Sequence, residues 1–92
     1  MKTLPEKLRR NGYDYTLVQR GQRAFIYAQM VSKRKVQYEV FQLRTKPDRE
    51  IEGKFLEATE CFPHDEAFGV WAWTITDHTK ALKKFNQLEG IL

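Results

Sequence analysis

The chain has one cysteine, Cys61, in 92 residues. A single thiol excludes an intramolecular disulfide, so the expected compartment is the cytoplasm. No apolar run is long enough to cross a membrane, and no apolar signal-peptide core follows Met1. A membrane partner is therefore not expected. The 5 glycines stand apart from one another, so no phosphate-cradling glycine loop is written here. No internal repeat, low-complexity tract or linker divides residues 1–92, which read as one domain.

Histidine is scarce too, with 2 in the chain. Cys61-x-x-His64 has ligand types at a usable spacing, but a structural zinc needs four ligands and a catalytic zinc three. No second cysteine exists, and His78 is distant in sequence. No metal and no cofactor are expected. A Cys61–His64 nucleophile would need both side chains in hydrogen-bond reach and a third group to orient the base. Neighbouring loop residues rarely meet that geometry, so no catalytic residue is assigned.

Acidic residues are scarce in one half only. Residues 1–46 hold 11 Lys/Arg and 3 Asp/Glu, a balance of +8. Residues 47–92 hold 5 Lys/Arg and 9 Asp/Glu, a balance of −4. The halves either neutralise each other in the fold or leave a basic face for a polyanion.

What the chain does have is apolar and aromatic content, 41% and 13%. That argues for a folded domain rather than disorder. Residues 68–76 alternate as a strand, with Trp71, Trp73 and Ile75 on one face. Residues 77–88 follow as a helix, with Ala81, Leu82, Phe85 and Leu88 in one stripe. Thr76 or Asp77 can cap its start, and Gly90 can end it in the left-handed conformation.

The remaining elements come in order. Residues 3–11 read as a short helix, with Pro5 in the first turn, Arg9 and Arg10 late, and Gly12 as the stop. Residues 13–20 and 24–31 alternate as two strands of a hairpin, turned at Gly21 with a positive φ. Residues 36–45 form a third strand, broken at Pro47-Asp48. Residues 50–62 read as a fourth strand bent at Gly53, with a helix over 54–60 as the alternative. The sum is an α+β fold: an antiparallel meander of four or five strands. A C-terminal helix packs on one face, and a short N-terminal helix sits at an edge.

Several stretches carry a resemblance. They are Asn11-Gly12-Tyr13-Asp14-Tyr15, Leu17-Val18-Gln19-Arg20, Ile26-Tyr27, Tyr38-Glu39-Val40-Phe41 and Phe62-Pro63. Glu66-x-Phe68-Gly69-x-x-Ala72-Trp73, Ala81 and Phe85 continue it. In this order the chain resembles small uncharacterised single-domain proteins of bacteriophages and bacterial mobile elements. The resemblance covers most of the chain. It implies a phage or bacterial setting and no activity.

Two binding functions stand ahead of an enzyme. One is a non-enzymatic protein-interaction module of phage or mobile-element type acting on a host protein. The other is a nucleic-acid-binding accessory using the basic first half. Its candidate residues are Arg20 and Arg23 on one turn, and Lys33, Arg34 and Lys35 on another.

Overall fold

A computed structural model describes residues 1–90. Five strands form one antiparallel sheet: β1 (Lys7–Arg10), β2 (Tyr13–Arg20), β3 (Ala24–Ser32), β4 (Lys35–Gln42) and, later in the chain, β9 (Ala72–Ile75). They lie in the order β1-β2-β3-β4-β9. Between β4 and β9 the chain leaves the sheet and builds an arm. Its stem pairs β5 (Thr45–Lys46) with β8 (Thr59–Glu60), and its tip pairs β6 (Arg49–Ile51) with β7 (Lys54–Leu56). Helix α1 (His78–Glu89) ends the described chain. Among the described residues no helix is long and apolar enough to cross a membrane.

The expected N-terminal helix is not there. Residues 7–10 are strand β1, paired with β2 so that Leu8 faces Tyr15 and Arg10 faces Tyr13. The reason is the Asn11-Gly12 pair. Both residues are left-handed, with φ of 53° and 83°. A two-residue hairpin turn with positive φ at both positions matches the right-handed twist of its strands. A helix held by Leu4 and Leu8 alone cannot compete with that turn and a ladder beside it. Arg9 closes the hairpin, donating to Asp14 Oδ1 at 3.0 Å.

Residues 50–62 are likewise not one bent strand, and no helix forms over 54–60. Glu52 and Gly53 have φ of 52° and 77°, a second turn of the same kind, and the chain folds back on itself. Pro47 interrupts the arm between stem and tip. There the Asp48 carboxylate accepts from the Ala58 N–H and bridges the gap. The expected third strand divides too, with β4 ending at Gln42 and Thr45 opening the arm.

The sheet has two unlike faces, each with its own core. On one face Ala24, Ile26 and Val40 meet Ala81 and Phe85 of α1, as the stripe predicts. Asp77 caps that helix, accepting from the Lys80 N–H at 2.9 Å, and Gly90 ends it with φ 80°. Gly21 serves this face differently than expected. It is not among the residues with positive φ. A Cβ there would run into the Glu89 carboxylate and lie 2.8 Å from the Phe85 ring, so glycine is required for space.

The other face runs in three rows across the strands. Arg20, Phe25, Phe41 and Ala72 form the first, and Leu17, Tyr27, Glu39 and Thr74 the second. Leu8, Tyr15, Gln29 and Gln37 form the third. The first row is centred on two phenylalanines and the third is mostly polar. Phe25, Tyr27 and Phe41 are fully buried, with ring centroids 5.2–6.2 Å apart. Phe62 from the arm's return packs edge-on against Tyr15, Tyr27 and Phe41. Burial pushes the Tyr27 hydroxyl up to about 12, and it donates to the Pro5 carbonyl at 2.7 Å.

Trp71 joins this aromatic face, not the face of Trp73 and Ile75 as alternation predicts. Strand β9 begins only at Ala72. Before it a short 3-10 turn (Asp65–Ala67) leads into Gly69 at φ 86°, and the Trp71 N–H donates to the Ala67 carbonyl at 2.9 Å. The turn breaks the period of two and swings the indole back over Phe41, 6.4 Å away. Trp73 stays on the helix face beneath Lys84, whose Nζ sits 3.9 Å from the ring.

Candidate functional site

The end of β1, the base of the arm and the loop before β9 meet around a cleft of about 420 Å³. Arg10 reaches it because the Asn11-Gly12 turn fixes the register of β1 on β2. Arg44, Lys46 and Arg49 reach it from the outgoing side of the arm. Phe62, His64 and Trp71 come from the returning side. The arm's base is tied shut by the Cys61 N–H, which donates to the Arg44 carbonyl at 2.8 Å.

Two cations of this cleft are laid on rings. The Arg10 guanidinium lies 5.3 Å from the Phe62 centroid, and the Arg44 guanidinium 5.0 Å from Trp71. His64 stands edge-on to the same indole at 6.1 Å. Such stacking orients a guanidinium and leaves its outer face and N–H edges for a ligand. Among the described residues, Arg10, Arg44, Lys46 and Arg49 form no ion pair.

One carboxylate lines the cleft, Glu60, and it is already engaged. It is 6% exposed and takes both guanidinium nitrogens of Arg20, with Nη1 at 3.0 Å from Oε1. The Leu4 N–H also donates to Oε1, at 2.8 Å. Burial alone would raise this carboxyl, but the Arg20 hydrogen bonds, the Leu4 N–H and the Arg20 charge outweigh it. The net shift is downward, and Glu60 stays ionised. The cleft's remaining charge is therefore positive.

The five residues singled out from sequence do not form one surface. Arg20 is locked to Glu60 and lies over the Phe25 ring at 4.9 Å. A bulge at Val18 puts it there: the register with β3 shifts between Leu17 and Gln19, re-aiming Arg20 to the aromatic face. Arg23 is exposed at the β2–β3 turn, where its backbone N–H donates to Glu89 Oε2 at 2.8 Å. Lys33, Arg34 and Lys35 sit at the opposite end of β3, exposed on the β3–β4 turn. Nine residues of strand at about 3.3 Å each separate the two groups by roughly 25–30 Å.

The sequence did not point to Arg10, Arg44, Lys46 and Arg49 as a set. They lie in separate segments, and only the arm brings them together. The Asn11-Gly12 hairpin signal was the one local clue that Arg10 belongs to a strand. Cys61 and His64 both line the cleft. Among the described residues, no three His, Cys, Asp or Glu side chains stand close enough to hold a metal ion.

Comparisons with known proteins add no relative: no family model, no curated protein and no solved structure matches the chain.

Proposed function

We propose that this protein is a non-enzymatic nucleic-acid-binding accessory that holds a single strand in the cleft around Trp71. One observation carries the reading. Four cations that form no ion pair among the described residues line one cleft, two of them stacked on aromatic rings, while the carboxylate beside them is committed to Arg20. Single strands are held by positive grooves that track phosphates and by planar groups on which bases stack. A base laid on the outer face of the Arg44 guanidinium would extend the stack begun by Trp71. The setting we infer is the cytoplasm of a bacterium, with the chain encoded by a phage or mobile element.

Fluorescence anisotropy of a labelled single-stranded oligonucleotide, titrated at several salt concentrations, tests this. Replacing Arg10, Arg44 and Arg49 together by Ala should weaken binding for all sequences. It should lower the slope of log affinity against log salt by about 2, if each contacts one phosphate. Replacing Lys33, Arg34 and Lys35 should leave that slope in place. The reverse pattern would move the site to the β3–β4 tip and sink the cleft reading.

A second reading, capture of a host protein, is favoured by the arm. Among the described residues its tip strands pair only with each other, and they present Phe55 at 69% and Ile51 at 51% exposure. Pull-down from bacterial lysate treated with nuclease, with Phe55→Ala as control, separates the two. A band that survives nuclease and is lost in the variant supports the arm.

A further inference from the structure

On the same face, beyond the 62–67 segment from the basic cleft, lies a second cavity of about 280 Å³ with the opposite character. Glu39 and Asp65 line it, together with the rings of Tyr13, Tyr15 and Phe68, and no lysine or arginine does. Glu39 comes from the middle of β4 and is only 4% exposed. A carboxylate in mid-sheet is costly to bury and is normally matched by a cation. Here its one protein partner among the described residues is a hydroxyl: Thr74 Oγ1 donates to Oε2 at 2.9 Å.

The second oxygen, Oε1, accepts from no donor in the described chain. Among the described residues no buried side-chain oxygen or nitrogen lacks a partner. Oε1 therefore opens to the cavity. The neighbouring row supports the same surface. Gln29 is 9% exposed and its Nε2 donates to the Tyr15 hydroxyl at 3.0 Å. Two carboxylates thus share the cavity with aromatic rings in its wall.

We propose that this cavity is a binding site for an organic cation, a guanidinium or alkylammonium group, with Glu39 as its counter-ion. A carboxylate accepts such a group at full charge, and the faces of tyrosine and phenylalanine attract it. An anion is repelled by two carboxylates, and an apolar group leaves the acceptors unmatched. The cation comes from a free amine or from a side chain of a partner polypeptide. The site does not depend on what fills the basic cleft.

Titration of the full-length ¹⁵N-labelled chain with N-acetyl-arginine amide, followed by amide chemical shifts, is the test. Saturable shifts at Gln37, Glu39 and Thr74 are expected. N-acetyl-citrulline amide has the same shape without the charge, and should bind at least about tenfold more weakly, since a charged hydrogen bond is lost. Glu39→Gln should weaken the arginine derivative by a similar factor while keeping the spectrum of a folded protein. Asp65→Asn, on the exposed rim, should weaken it less. Agmatine run in parallel separates a free amine from a residue carried on a polypeptide. Equal binding of the citrulline derivative, or shifts confined to other acidic residues, would overturn the proposal. So would a response to uncharged guanosine with none to arginine, which would make the cavity a base pocket.

Discussion

Glu39→Gln should make the unliganded protein more stable at neutral pH. The native carboxylate is 4% exposed and has one hydroxyl donor. Removing an ion from water costs several kcal/mol even after relaxation. One hydrogen bond to a charged group returns about 1.5–3 kcal/mol. The shortfall is thus about 1–2 kcal/mol. Glutamine has nearly the same shape, still accepts from Thr74, and carries no charge. For a domain of this size that is a gain of roughly 5–15 °C in melting temperature, at about 4–8 °C per kcal/mol.

The pH dependence gives a sharper reading than the melting temperature alone. Burial raises the Glu39 carboxyl above its ordinary value, and the Thr74 hydrogen bond only partly offsets this. In acid, both folded and unfolded chains hold the proton, and the substitution gains little. As pH climbs past the unfolded carboxylate value, the unfolded chain loses its proton first. Native stability falls until pH passes the raised folded value, and the penalty is constant above it. The advantage of Glu39→Gln should therefore be near zero at acid pH, grow above about pH 4, and level off. Thermal unfolding of both proteins from pH 3 to 8 measures it. A variant less stable than the native chain at pH 7 would refute the reasoning, because it would mean the charge is satisfied in the fold.

Other changes have equally definite outcomes. Phe85→Ala should cost about 3–5 kcal/mol, because the ring is 3% exposed and fills the space between α1 and the sheet; an unchanged denaturation midpoint would show the helix is not docked. Gly21→Ala should cost about 1–3 kcal/mol through overpacking against Glu89 and the Phe85 ring, and a neutral effect would mean those side chains move freely. Glu60 contributes in the opposite pH sense from Glu39. Its folded value is depressed, so its stabilisation is present above the unfolded carboxylate value and fades as pH falls through the folded one. Glu60→Ala should accordingly be least harmful in acid, as urea titrations at pH 3 and 7 would reveal.

Elements whose signals are local were readable from sequence. The C-terminal helix has its cap, stripe and stop within fourteen consecutive residues, Asp77 to Gly90, and forms as read. Strands β3 and β4 follow their alternation, and β2 does so as far as the bulge at Val18. Residues 3–11 carry conflicting signals: charge placement and Pro5 suit a helix, but Asn11-Gly12 is a turn signal tied directly to backbone twist, and it prevails. The arm was missed because Gly53 follows a glutamate, which seldom takes the left-handed conformation. The cleft was harder still. Its cations are ordinary surface residues in sequence, and only the arm's return over Trp71 gives them a common ligand. Glu39 looked like the polar partner in a strand, because alternation does not say which faces will be covered.

The Glu60 carboxylate also has a bearing on the order of folding. Its bonds to Leu4 and Arg20 span 56 and 40 positions. The hairpins of β1 to β4 can form from neighbouring residues, but Leu4 and Arg20 cannot be fastened to Glu60 until the arm has been made and has turned back. Closing loops of that length is slow, and such contacts form late. On a ribosome, residues 1–59 would emerge with their lock still missing. A substitution at Glu60 should then leave the refolding rate nearly unchanged and accelerate unfolding. The carboxylate sets how long the fold lasts once made, and hardly how fast it is reached.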